Sequence, residues 1–459
     1  MKRAVLAALV LALFASPSRA TELWSRGDAR VVFTGSLREV ANIGSQTDAG
    51  DFFTAYSQDL SACVPAVPAA TFANCAAFDT VGEKDAWQSL TRLRARLDVE
   101  FTSFLRAVVV YDNELTTGIL DTFENGLGDS FSSGDWLDAE TTVIDTDRVR
   151  WRQVLYRGFI QLETEQFEIT VGRQRIAWGV GRLWNPIDRF NAIPPLAIQA
   201  GETLGVDSID ARWSYDGFNF VEAVYAPGSS RDQARYALRL HGVVFDSDVS
   251  LMGGVFEEAP TVGLDFARNL ADAAVSLELV WARPRQKVWK IEWDRRKRLD
   301  DFFQVVVSVD YTIDWADGIY LLVEHFYNGN ALGFGQGKAG TLLPLFEASD
   351  TPPDPAAAVI PGPYAVPGSS ALFGSSRVVS NAKNQTGLLL GGDITPELRF
   401  DLLTLYDWNG ESGAFFPSLK YSPLASLEVT VGVQAFVGPR LSQFGARDPF
   451  VYLLADFFF

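Results

Sequence analysis

The last ten residues constrain this chain more than any other segment. From Phe450 to Phe459, Val451, Leu453, Ala455, Phe457 and Phe459 fall on one face and Tyr452, Leu454, Asp456 and Phe458 on the other. A period of two over about ten residues, with a charge set in apolar sequence, suits a strand that crosses a bilayer in a closed barrel. Crossing as a helix would need about 20 consecutive apolar residues, and no stretch supplies them, the shorter N-terminal run included.

The same period recurs along the chain and predicts an all-β protein. Strands are expected at 31–42, 90–101, 105–113, 154–162, 167–178, 208–215, 218–225, 235–245, 249–256, 274–282, 288–294, 302–312, 319–328, 385–393, 398–408, 415–421, 427–436 and 450–459. Tight turns such as Asp216-Gly217 join some of them. Long connections are expected near 43–88, 114–148, 179–206, 226–233, 257–273, 295–301, 329–384, 409–414 and 437–449. Short turns alternating with long loops describe a transmembrane antiparallel β-barrel of about 16–18 strands, with short periplasmic turns and long external loops. The 12 tryptophans are spread over the chain, as residues at two water–lipid interfaces would be. A soluble β-sandwich would also alternate, but it accounts for neither feature.

At the N-terminus, Lys2 and Arg3 precede an apolar run, Ala4 to Ala15, and a small-x-small site at Ser18-Arg19-Ala20. This predicts a signal peptide over 1–20 and a single barrel domain over 21–459. The net charge of −18 excludes a general nucleic-acid binder. Expected partners are outer-membrane lipid, lipopolysaccharide and a small polar or anionic solute, with a homo-oligomer left open. Cys63 and Cys75 are expected to pair as a disulfide in an oxidising compartment, which would stabilise their loop by about 3 kcal/mol. No metal site or cofactor is implied.

A barrel of 16–18 strands is too wide for side chains to fill, which leaves an aqueous lumen and points to transport. The candidate lumen residues divide by sign. Arg92, Arg94, Arg96, Arg106, Arg157, Arg212, Arg235 and Arg239 come from the first half of the chain. The second half supplies Glu278, Asp310, Glu324, Asp401, Asp407, Glu428 and Asp456. Two walls of opposite charge would set up a transverse field. The row Arg92-x-Arg94-x-Arg96 suggests a ladder for carboxylate or phosphate. Cross-strand pairing among the charges is the plainer reading.

The densest run of unusual residues is Gly172-Arg173-Gln174-Arg175-Ile176-Ala177-Trp178-Gly179, followed by Trp184-Asn185-Pro186-Ile187-Asp188-Arg189-Phe190-Asn191. Strict alternation from Phe167 would put Arg173 in lipid, so a bulge at Gly172 is expected to re-aim it inward beside Arg175. The loop that follows is a candidate lumenal constriction or an external cover. The Gly-Arg-Gln…Trp-Gly run, the segment Tyr320 to Asn330 and the terminal aromatic residue resemble features of porin-like Gram-negative outer-membrane barrels, including the alginate-export and related channel families. The resemblance implies a passive channel for small polar or anionic solutes. An export conduit for an acidic polysaccharide and a plugged structural or adhesion barrel are the alternatives. Enzymatic chemistry is not expected, since the only histidines, His241 and His325, lie outside any serine-hydrolase motif.

Overall fold

The computed structural model describes residues 20–47, 83–118, 136–191, 205–283, 288–292, 295–298, 301–314, 318–329, 345–347, 382–438, 444–445 and 448–459. The expected signal peptide and the Cys63–Cys75 pair lie outside them. The strands are β1 (Thr21–Arg26), β2 (Ala29–Thr47), β3 (Glu83–Thr102), β4 (Leu105–Gly118), β5 (Glu140–Asp145), β6 (Val149–Glu163), β7 (Phe167–Gln174) and β8 (Val206–Ser214). Next come β9 (Phe220–Ala226), β10 (Arg235–Val244), β11 (Ser247–Phe256), β12 (Ala259–Leu270), β13 (Ala273–Ala282), β14 (Val288–Glu292), β15 (Arg295–Arg298) and β16 (Phe302–Ile313). The last are β17 (Ile319–Asn328), β18 (Leu345–Glu347), β19 (Asn384–Thr395), β20 (Leu398–Asp407), β21 (Ser412–Leu424), β22 (Leu427–Val437) and β23 (Phe450–Phe458).

Eighteen of these strands pair edge to edge, antiparallel throughout, and the last closes on the first through β2 and β23. Phe459 completes the seam by exchanging backbone hydrogen bonds with Gly35 at 2.7 and 2.9 Å. Closure leaves no unpaired edge in the hydrocarbon, the condition under which strands can cross a bilayer. Alternation sets what each face touches. Val171, Ile209, Leu238, Leu251, Val307, Val323 and Leu453 are exposed on the outside. Exposed aromatic residues flank this band, with Phe101, Phe104, Phe167, Trp213, Phe218 and Phe245 near the periplasmic turns and Tyr225, Tyr236, Phe303, Tyr406 and Trp408 at the opposite end.

Three expected elements change. Residues 257–273 are not a long connection: Glu257 and Glu258, both at positive φ (49° and 64°), make a two-residue turn into β12. Val288–Asp294 is not a wall strand, because β14 pairs with β15 and β18 in a separate three-stranded sheet. The errors cancel, so the count of eighteen stands while its membership differs.

The strand expected over 167–178 ends at Gln174, where the chain leaves the wall. Above that point β5 takes up the edge of β6, with Glu140 opposite Val154 and Asp145 opposite Arg150. No bulge occurs at Gly172, since pairing runs in register from Phe159–Gly172 to Gly158–Arg173. Gly172 turns the backbone by its φ of +127°, and a Cβ there would lie 2.2 Å from the Gly158 carbonyl oxygen. Arg173 is consequently buried and forks onto Asp207 at 2.9 and 3.0 Å.

Candidate functional site

Residues 175–191 leave the wall and lie against its inner face. Their alternation persists against a new background, with Ile176 and Trp178 buried and Arg175 and Ala177 exposed. Ile176, Trp178, Ile187 and Phe190 pack with Val206, Val224, Ala237, Met252, Phe256 and Val280 from the inner wall. Trp184, fully buried, joins Val306, Phe326, Leu405 and Phe416 and stacks on Phe326 with centroids 5.8 Å apart. Each such side chain contributes about 1.5–3 kcal/mol by leaving water. Apolar burial therefore seats this segment as it would seat a helix on a sheet.

A segment without regular pairing must place its backbone N–H groups elsewhere. Two glutamates of the wall take six of them. Glu278, on β13 beside the exposed Leu279, accepts from Val180 and Gly181 at 2.6 Å each and from Ile187 at 3.3 Å. Glu324, on β17 beside the exposed Val323, accepts from Arg182 and Leu183 at 2.9 Å each and from Trp184 at 2.7 Å. Trp178 Nε1 donates to Glu222 at 2.9 Å, Arg189 donates to Gln304 at 2.7 Å, and Arg235 donates to the Phe190 carbonyl at 3.1 Å. Asp188 accepts from the Asn191 N–H at 2.8 Å and holds the final turn.

The arginine row of β3 is placed differently. The register of the β3–β4 hairpin sets Arg92 opposite Glu114 and Arg94 opposite Asp112. Arg92 Nε lies 2.6 Å from Glu114, which also receives Arg152 at 2.9 Å. Arg94 forks onto Asp112 at 2.7 and 2.6 Å, and Arg96 forks onto Asp98 at 2.7 Å through both nitrogens. Arg94 also covers the Tyr156 ring at 3.8 Å, with Arg157 over the same ring at 4.3 Å. Arg106 hydrogen-bonds Gln161, Arg239 donates to Ser250 at 2.9 Å, and Arg212 stacks over Phe220 at 3.7 Å.

The expected acidic wall is likewise engaged. Asp401 receives Arg399 at 2.9 Å, Glu428 pairs with Lys420 at 2.6 Å, and Asp456 receives Arg38 at 3.0 Å. Asp407 is fully buried and accepts from Asn409 N–H at 3.0 Å, while Asp310 hydrogen-bonds Tyr320. Two opposed, unpaired walls are therefore not what the strands form. Arg175 and Arg182 are exposed on the inserted segment, and neither makes an ion pair among the described residues. His241 Nδ1 does meet a serine, Ser250, at 3.0 Å, but Ser250 is only 1% exposed and offers no accessible nucleophile.

Sequence reasoning missed Asp112, Glu114, Glu222 and Gln304. The first two were within reach: counting outward from the tight turn after Thr102 sets Asp112 opposite Arg94 and Glu114 opposite Arg92, once one irregularity near the turn is allowed.

No family model and no curated protein matches the chain. Among solved structures it is similar to OccAB1 of Acinetobacter baumannii, at 10% identity over 97% of this chain and 99% of that one, with a TM-score of 0.51. It is also similar to the outer membrane protein OprD from Pseudomonas aeruginosa, at 11% identity over 97% of each chain, with a TM-score of 0.47. At such identities the likeness to OccAB1 concerns the fold alone, a closed antiparallel β-barrel.

Proposed function

We propose that this protein is a passive outer-membrane channel whose constriction is residues 175–191 and whose preference is for small anionic or polar solutes. One observation carries the reading: the inserted segment exposes Arg175 and Arg182 while the carboxylates beside it, Glu278 and Glu324, receive six of its backbone N–H groups. Unpaired guanidiniums at a narrowing lower the energy of an anion there and raise that of a cation. The row Arg92, Arg94, Arg96 contributes little net field on this reading, because Glu114, Asp112 and Asp98 neutralise it.

Planar-bilayer recording under a salt gradient tests the proposal. Open-channel current with an anion-favouring reversal potential is expected. Replacing Arg175 and Arg182 together by alanine should move that potential toward cations, and replacing Arg94 together with its partner Asp112 should move it less. A silent barrel, or selectivity indifferent to Arg175 and Arg182, would overturn the reading.

A further inference from the structure

We propose that Glu278 and Glu324 are positioning residues that latch the constriction in place, so that the pore's width and charge preference are set from the wall as well as from the loop. For its electrical readout this rests on the channel reading. Glu278 and Glu324 stand on β13 and β17, two strands apart in the wall, and together they receive the N–H groups of Val180 to Trp184 without a break. Glu278 also receives Ile187, so a single carboxylate gathers both limbs of the turn. Asn185 closes the turn by donating to the Trp178 carbonyl at 2.7 Å and accepting from Asp188 N–H at 2.9 Å.

The fit excludes other residue types on both sides. A Cβ at Gly179, where φ is +88°, would lie 2.5 Å from Glu278 Oε1 and 2.3 Å from Asn185 Oδ1. At Gly181 it would lie 2.0 Å from the Trp184 carbonyl oxygen. The backbone can close on the carboxylate only because both positions lack side chains. A run of converging N–H groups is an acceptor-only socket: a carboxylate fills it, whereas glutamine would aim an NH2 at donors. Each charged hydrogen bond left unmade lowers the population of the seated loop by about tenfold or more.

The test compares wild type, E278Q/E324Q and a control, E428Q, whose carboxylate pairs with Lys420 on the wall. Barrel closure is followed by gel mobility before and after heating, and the pore by single-channel conductance and reversal potential. Unseating should raise the conductance of E278Q/E324Q at least twofold and weaken anion preference, with closure intact, whereas E428Q, which uncovers Lys420, should instead strengthen anion preference. A second readout needs no current. Ile187, fully buried, becomes the reporter I187C with Cys63 and Cys75 replaced by serine, and maleimide labelling in detergent should be slow with both glutamates present and about tenfold faster or more without them. If the double variant fails to insert, E278Q and E324Q singly should each give a smaller change in the same direction. Unchanged labelling in a closed E278Q/E324Q barrel would overturn the latch. A silent wild-type barrel with accelerated labelling would sink the channel reading and leave the latch standing.

Discussion

The β3–β4 wall and the β13–β17 wall both carry buried charge, yet they dispose of it in different ways. On the first, arginines and carboxylates meet across adjacent strands, as at Arg94–Asp112 and Arg92–Glu114, and the sheet's own register makes the pairs. On the second, Glu278 and Glu324 form no ion pair with an arginine among the described residues and receive backbone N–H groups from a segment 91–142 residues away in sequence. The first arrangement fixes a wall. The second fixes an inserted segment against a wall, and it leaves Arg175 and Arg182 facing water. Charge composition alone would not separate the two, because a charge counts toward a lumenal field only when nothing nearby cancels it.

The comparison can be broken first at its apolar foundation. Trp184→Ala removes a fully buried ring and should cost about 3–5 kcal/mol, read as a lower urea midpoint for the detergent-folded barrel. A cost near zero would mean that the segment is not seated on the β17 wall. Next in size is Asp112→Asn, which takes the carboxylate from Arg94 and leaves Arg92 to Glu114. It should destabilise the barrel by about 1–3 kcal/mol and shift permeability toward anions, in contrast to removal of the arginines. No shift in selectivity would show that the β3 row is shielded in some other way. Arg175→Ala then sharpens the contrast: in water, a unit charge about 5 Å from an ion's path is worth about 0.8 kcal/mol to an anion and the same with opposite sign to a cation, or about fifteenfold in the anion/cation permeability ratio.

The smallest effect belongs to the β8–β9 turn, where a carboxylate is satisfied locally. Asn219, through its side chain and its N–H, and the Phe218 N–H hold the Asp216 carboxyl below its ordinary value of 3.8. A carboxyl depressed in the folded state adds stability above its unfolded value and loses it as pH falls through the folded one. The gap in unfolding midpoint between wild type and Asp216→Asn should therefore be present at pH 7 and close below pH 3.8. A gap that ignores pH would rule out the charge as its cause.

Much of the architecture was legible because a wall strand announces itself by alternation, as in Leu93, Ala95, Leu97 and Val99 of β3. β12 escaped because Pro260, Gly263, Asp265 and Asn269 blur its pattern and because Glu257-Glu258 carries no glycine or asparagine to mark the turn. Residues 175–178 misled for the opposite reason. Arg-Ile-Ala-Trp alternates as a strand does, but its apolar face meets the inner wall instead of lipid. Glu278 and Glu324 stood out in sequence as lumenal acids, whereas their occupation by backbone donors depends on where a distant segment folds back. No periodicity records that.

The inward course of the chain after Gln174 leaves a vacancy in the upper rim, and the short strand Glu140–Asp145 fills it from an adjoining surface segment. External loops commonly tolerate trimming, but this one would not. Its deletion would uncover the hydrogen-bonding rim of β6 and offer neighbouring molecules a template for intermolecular pairing. The inward turn of the chain thus also dictates which part of the outward-facing surface is free to vary.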